Sequence, residues 1–172
     1  MNPSLPTRIR SLSAVRCTLQ NITIRPIETQ EDLWYAVQEL TLTPAQRDFV
    51  NPPGFSIGRA WLWPEKFLPC VICRTDGTRI GFIVFSPWLA EGDGVSFGYM
   101  IDLHHQHKGY GTAAARLALQ ILREVCPDLP VKLAVETDNH RAQALYASLG
   151  FVLLDEKDGN DLVYAHYTVC QK

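Results

Sequence analysis

From Gly111 to Cys126 the chain places Ala114, Leu117, Ala118, Ile121, Leu122 and Val125 at i, i+3, i+4, i+7, i+8 and i+11. That spacing puts every one of them on a single face of an α-helix. A helix so one-sided must bury its apolar face against another layer. Just ahead of it, Val95 to Asp102 reads as a strand, and Gln106-His107-Lys108-Gly109-Tyr110-Gly111-Thr112 joins the two. Glycines at a strand-to-helix turn let the backbone approach a ligand closely, and the helix start adds free N–H groups and partial positive charge. The loop is therefore a candidate pyrophosphate cradle. Lys108 either adds a cation beside the same anion or is an ordinary solvated lysine. The spacing fits neither a P-loop, Gly-x4-Gly-Lys-Ser/Thr, nor a dinucleotide fingerprint, Gly-x-Gly-x-x-Gly.

The rest of the chain supplies a sheet. Ile22 to Ile27 reads as a short strand, and Thr29 with Asp32 opens a helix whose buried face is expected to be Leu33, Val37 and Leu40. Prolines and glycines break the stretch from Thr43 to Pro64 into short helical pieces and loops, a common way to shape a pocket. Leu68 to Arg74, Ile80 to Phe85 and Val95 to Asp102 form an antiparallel meander. After the long helix come a strand from Val131 to Glu136 and a short helix from His140 to Leu149. A closing hairpin, Phe151 to Glu156 and Leu162 to Val169, turns at Asp158-Gly159-Asn160. The expected fold class is mixed α/β (α+β): a mainly antiparallel central sheet flanked by helices, with residues 1–20 as a loosely ordered arm and 21–172 as one domain.

A chain of 172 residues can bury a core without staples. Its net charge of −2 with mixed signs offers no basic face for nucleic acid, and no apolar run is long enough to cross a bilayer, so neither nucleic acid nor membrane is an expected partner. Five cysteines without a repeating framework point to a reducing cytoplasm. Cys70 and Cys73 stand three apart on a strand, so they face opposite ways and read as small buried apolar residues. Asp102, His104, His105 and His107 have no metal-ligand spacing, and no metal is expected.

Two motifs in register carry a resemblance. Gln106-x-x-Gly109-x-Gly111 resembles the Q/R-x-x-G-x-G/A pyrophosphate loop of the GNAT superfamily of N-acetyltransferases. Asn139, Ala142, Leu145-Tyr146 and Leu149-Gly150-Phe151 resemble that superfamily's N-x-x-A-x-x-L-Y-x-x-x-G-F pattern. The similarity spans roughly 22–169 and implies acetyl-CoA as acetyl donor. It also implies cofactor contacts from Met100, Ile101, Asp102, Gln106, His107, Lys108, Gly109, Tyr110, Gly111, Thr112 and Asn139. Backbone groups around Met100 to Asp102 would pair with the pantetheine arm and polarise the thioester carbonyl, and Tyr146 would donate a proton to the departing thiolate. Gln46-x-x-Phe49-Val50 with Ser56 and Ala60, and Met100-Ile101-Asp102, resemble the branch that acetylates spermidine, spermine and diamines. The chain departs from that branch at Pro53, His105 and His107, where asparagine, tyrosine and glycine are its pattern. A side chain at His107 leads us to expect an ordinary backbone conformation there.

The acceptor implied is the primary amine of a small molecule. Trp61 and Trp63, in the irregular region, are candidate walls for a cationic amine by cation–π contact, and Glu91 and Asp93 are candidate attractors, or else a solvated turn. No general base is assigned, because the position where some family members carry a glutamate is here Ser96. Protein, peptide or aminoglycoside acetylation and a non-catalytic acetyl-CoA sensor remain open alternatives, and Tyr146 argues against the sensor. A homodimer is also left open.

Overall fold

The computed structural model describes residues 3–12, 17–89 and 92–167. Its elements in order are α1 (Leu5–Arg10), β1 (Thr18–Leu19), β2 (Ile22–Pro26), α2 (Gln30–Trp34), a π-helical turn (Tyr35–Glu39), α3 (Pro44–Arg47), α4 (Pro53–Leu62), β3 (Leu68–Arg74), β4 (Arg79–Pro87), β5 (Val95–Ile101), a 3-10 turn (Leu103–His105), α5 (Tyr110–Val125), β6 (Val131–Val135), α6 (His140–Ser148), β7 (Val152–Asp158) and β8 (Asp161–His166). The strands form one sheet in the order β1-β2-β3-β4-β5-β6-β8-β7. Every pairing is antiparallel except β5 with β6.

The long helix does what its periodicity requires. Ala114, Leu117, Ala118, Ile121, Leu122 and Val125 are all buried and join Ile24, Leu68, Ile83 and Phe97 in the main core on one face of the sheet. Each fully buried leucine or isoleucine contributes roughly 2 kcal/mol. The opposite face is covered by the π-helical turn and its neighbours, where Ala36, Phe82 and Met100 pack with Leu42, Val50 and Ile57. Cys70 and Cys73 are buried in different clusters, Cys70 in the main core and Cys73 with Tyr35 and Val71.

Two expectations are overturned here. The first is the arm: α1 is capped by Ser4, sinks Ile9 into the main core and packs on α5, because an apolar side chain at Ile9 finds the exposed edge of that helix. The second is the face of the helix after Thr29. Leu33 and Val37 are exposed, whereas Asp32, Tyr35 and Ala36 are buried. The reason is electrostatic. Asp32 has no exposed surface; its N–H donates to the capping Thr29 Oγ1 at 3.1 Å, and its carboxylate accepts from Arg25 Nη1 and Nη2, the latter at 2.8 Å, and from Arg79 Nε at 2.7 Å. Turning that carboxylate inward toward β2 and β4 rotates Leu33 and Val37 outward, and the π-helical turn completes the shift in phase.

Burial alone would raise the Asp32 carboxyl, but the hydrogen bonds from Arg25 and Arg79 outweigh it and hold the group well below the usual carboxylate range. A carboxyl lowered in the folded state stabilises the fold above its unfolded value near ~4, and that contribution fades as pH falls below it. Asp32→Asn should therefore lower the unfolding free energy by about 2–4 kcal/mol at pH 7, with two guanidinium groups left short of a partner. The deficit should shrink toward pH 3, as urea titrations at the two pH values would show.

Candidate active site

The site is built where the sheet comes apart. β5 is held by β4 along its whole length, from Gly81↔Ile101 to Pro87↔Val95, and β6 is held by β8 from Val131↔His166 to Val135↔Leu162. Between β5 and β6 only Val95↔Val131 pairs. At that junction Gly94 has φ +147, and a Cβ on it would lie 2.8 Å from the Pro130 carbonyl oxygen, so only glycine lets the two chains meet so closely. Beyond it the strands diverge and leave a wedge.

The wedge has an open backbone edge. Trp88 N–H bonds Gly94 O at 2.9 Å, and Asp102 N–H bonds Ile80 O at 2.9 Å, so even-numbered residues of this strand direct their backbone groups at β4. Val95 N–H instead turns to Pro130 O at 3.0 Å. By alternation, Phe97, Tyr99 and Ile101 face the gap. The Ile101 carbonyl is already taken by Gln106 Nε2 at 2.8 Å, which leaves a short length of strand edge without a neighbouring strand. This corrects one expectation: the backbone groups of Met100 and Asp102 are committed to β4, and those open to the wedge belong to their odd-numbered neighbours. Asp102 is 4% exposed and its carboxylate is a structural pin, accepting from Thr41 N–H at 2.8 Å and His104 N–H at 2.9 Å.

A cavity of about 680 Å³ occupies the wedge. Gly109, Gly111 and Thr112 border it from the start of α5, Asn139 and Tyr146 from α6, and Gln46, Phe49 and Val50 from the opposite side of the sheet. Ala113 N–H makes the first helical bond of α5, to Gly109 O at 3.1 Å, and the amides of Tyr110, Gly111 and Thr112 precede it. Gly109 needs its glycine for conformation, at φ +81. Gly111 does not. A Cβ there would make only ordinary contact, 3.7 Å from Tyr99 Oη, so the protein's own packing leaves the space beside it free. His107 departs from expectation: with φ 59 it adopts the left-handed conformation that a glycine would occupy, at a cost of about 1–2 kcal/mol.

Gln106 and Gln46 clamp this loop to α3 by a reciprocal amide pair, Gln46 Nε2 to Gln106 Oε1 at 2.9 Å and Gln106 Nε2 to Gln46 Oε1 at 3.1 Å. Tyr146 is 9% exposed and packs edge-on against Phe97, with ring centroids 6.4 Å apart. No described residue bonds its hydroxyl, which the cavity reaches. Burial, and then Tyr99, push its phenol well above the ordinary tyrosine range.

Of the residues singled out in the sequence, Met100, Ile101, Gln106, His107, Gly109, Gly111, Thr112, Asn139 and Tyr146 line the one cavity. Lys108 and Tyr110 do not: Lys108 Nζ donates to His104 O at 2.9 Å, and Tyr110 packs against the main core. Asn139 also caps α6, its side chain accepting from Ala142 N–H at 3.1 Å. Trp61, 86% exposed, and Trp63 lie on or beside α4 away from the cavity, and Asp93 is outside it too. Glu91 lies outside the described residues. Sequence reasoning missed Glu136, Asp138, Arg141 and Asp161, all in the cavity wall. Burial pushes the Tyr99 phenol up and the charge of Arg141 opposes that push, so a cation of the cavity wall acts on the tyrosine beside Gly111. The place of Arg141 two residues after Asn139 was the available signal. Among the described residues no group of three or more His, Cys, Asp or Glu could hold a metal ion.

The geometry fits an anionic, extended ligand: free amides at a helix start, room beside Gly111, and a strand edge wanting a partner. Gly111→Val should fold, since its Cβ meets nothing closer than 3.7 Å, yet weaken acetyl-CoA binding by more than about tenfold, because the branched side chain fills the approach to the amides. Calorimetry at matched melting temperature decides it, and unchanged affinity would remove the cradle.

The sequence profile of the acetyltransferase (GNAT) family matches residues 34–151. No curated protein sequence gives a significant match. Among solved structures, a spermidine N-acetyltransferase from Vibrio cholerae, in complex with CoA and spermine, superposes with a TM-score of 0.66 at 18% identity, over 86% of this chain and 94% of that one. A ribosomal-protein-S5-alanine acetyltransferase from Vibrio fischeri gives 0.57 at 16% identity, over 90% and 97%. Mycobacterium smegmatis RimJ in complex with CoA-disulfide gives 0.58 at 20%, over 84% and 81%. At these identities the likeness is one of fold, and the first two are named for different acceptors, spermidine and a ribosomal protein. The profile match covers more than half of the chain and contains both the glycine loop and Tyr146, so the chain belongs to the acetyltransferase (GNAT) family.

Proposed function

We propose that the protein transfers the acetyl group of acetyl-CoA to the primary amine of a small molecule, with aliphatic diamines and polyamines as the favoured acceptors. The observation that carries this reading is the convergence of three features on one cavity: the glycine loop, the open edge of β5 and the unbonded hydroxyl of Tyr146.

Acetyl-CoA supplies an activated acyl carbon as its thioester. The free amides of Tyr110, Gly111 and Thr112 hold its pyrophosphate, and Arg141 in the wall of the same cavity adds a cation. The β5 backbone around Phe97 and Tyr99 holds the pantetheine arm as a neighbouring strand would, and an amide there stabilises negative charge on the carbonyl oxygen. The acceptor enters from the side of Gln46, Phe49 and Val50. An amine attacks only when neutral, and with a pKa near ~10.4 most of it is protonated at pH 7. One proton must leave nitrogen and one must arrive at sulfur. Tyr146 serves the sulfur end. Its raised phenol stays protonated even at the alkaline pH where more amine is neutral, so its O–H remains a donor to the developing thiolate.

Tyr146→Phe keeps the ring packed between Phe97 and Phe151 and removes only the hydroxyl. Turnover should fall by roughly 10²-fold while acetyl-CoA affinity and melting temperature hold. Near-normal turnover in the folded variant, measured where chemistry limits the rate, would take the proton from another source.

The reading as a whole is tested by following free thiol release with a panel of acceptors. Spermidine, spermine and simple diamines should outperform peptides and aminoglycosides. Turnover with a peptide and none with any diamine would move the protein to protein acetylation, and acetyl-CoA binding without turnover on any amine would make it a sensor.

A further inference from the structure

The two tryptophans that stand away from the cavity belong to a surface that nothing in the described chain covers. α4 turns Ser56 and Ile57 inward, Ile57 packing in the cluster of Phe82 and Met100. Its outward face is Gly54, Phe55, Gly58, Trp61 and Leu62, at i, i+1, i+4, i+7 and i+8, the spacing of one helical stripe. Such a stripe normally lies on a core, yet Phe55, Trp61 and Leu62 are all more than half exposed. Trp63 follows at the helix end, edge-on to Phe67 with ring centroids 6.4 Å apart, and Arg59 lies over Phe67 at 4.0 Å and Phe55 at 5.8 Å. Those contacts join the aromatic rings into one patch. α4 also packs on the π-helical turn, where Trp34 and Val37 point outward.

The exposed parts of Phe55, Trp61, Leu62, Trp63, Trp34 and Val37 together present on the order of 700 Å² of apolar surface, since one aromatic side chain offers ~150–250 Å². The largest apolar patch of a monomer is commonly ~300–600 Å², and a stable complex buries ~800 Å² on each partner. This face therefore has the size of one side of a standard interface. Two further observations select its occupant. Gly54 and Gly58 lie one turn apart in the stripe, and a Cβ on either would meet nothing within 4 Å. Neither has a left-handed backbone, so neither conformation nor internal packing calls for glycine, the poorest helix former after proline. Bare backbone in an apolar stripe lets another helix approach closely. Charge is the other observation. Arg59 forms no ion pair among the described residues, while α2 and the π-helical turn carry exposed Glu31 and Glu39. In a two-fold pair each contact is made twice, so α4 of one copy set against α2 of the other brings Arg59 to those acids on both sides. The rim, Glu31, Glu39 and Glu65 against Arg59 and Lys66, has no excess of cations for an anionic membrane.

We infer that this face binds a second copy of the chain: the protein is a two-fold homodimer in which α4 packs against the α2 and α4 face of its partner, with the bare backbone of Gly54 and Gly58 at the contact. Trp61 and Trp63 then serve assembly rather than the acceptor. The inference is independent of which amine the enzyme acetylates.

Sedimentation velocity of the native full chain, from about 1 to about 50 μM, should give about twice the chain mass of 19.4 kDa. Two variants then address the face. Trp61→Ser/Leu62→Ser removes exposed apolar surface, and Gly58→Leu puts a side chain into space that is open in one copy and filled in the pair. Both should weaken the dimer by about tenfold or more in Kd, and Gly58→Leu should hold or raise the melting temperature of the monomer because it replaces a poor helix former. A native chain that sediments as a monomer throughout overturns the inference, and so does a dimer whose Kd either folded variant leaves unchanged. Native monomer that floats with vesicles of phosphatidylcholine and phosphatidylserine would also overturn it and assign the face to lipid.

Discussion

One missing ladder organises this protein. A strand edge inside a sheet normally passes its backbone groups to the next strand, and an edge left without one is costly unless something else pairs with it. Here β5 and β6 touch at Val95↔Val131 and then part, each bound on its outer side to its own antiparallel partner. The two halves of the sheet follow those partners with their own twist, and the gap between them is the result. The candidate site borders that gap: the start of α5, the edge of β5 and Tyr146 all line one cavity.

Holding a wedge open requires rigid flanks. On one side α5 lays its entire apolar face on the sheet, so the glycine loop at its start is fixed by the burial of residues spread along about 22 Å of helix, at ~1.5 Å of rise per residue. On the other side the Asp32 ion network joins α2 to β2 and β4 and fixes which face of the segment after Thr29 turns inward. Between the flanks, the amide pair of Gln46 and Gln106 ties the loop to α3, and Gln106 also closes the last open carbonyl of β5 at Ile101. Gln106 thereby acts on the loop's position, while the amides of the loop face the cavity. A left-handed His107 next to it is tolerated because the neighbours on both sides are fixed.

Much of this was legible in the chain. The six apolar positions of α5 announced a buried helix, the Gly109-x-Gly111 step after a strand marked a candidate anion cradle, and the motif that carries Asn139 and Tyr146 named residues that line the same cavity as that loop. These features are local: each depends on helix or strand periodicity and on the conformational freedom of a residue at a turn, which neighbours in sequence decide. Tertiary structure alone decided the rest. Leu33 and Val37 have helical spacing, yet they lie outside because the buried carboxylate of the neighbouring Asp32, paired with Arg79 across 47 residues, outranks them. The divergence of β5 from β6 is a property of two ladders that share no residues. The pairing of Val135 with Leu162, 27 residues apart by their numbers, is likewise a matter of strand register, and register is fixed only when whole faces are buried together. The sequence by itself thus determined the glycine loop and the long helix behind it, and tertiary structure decided which backbone edge is free, because that depends on pairings between distant strands that no local pattern encodes.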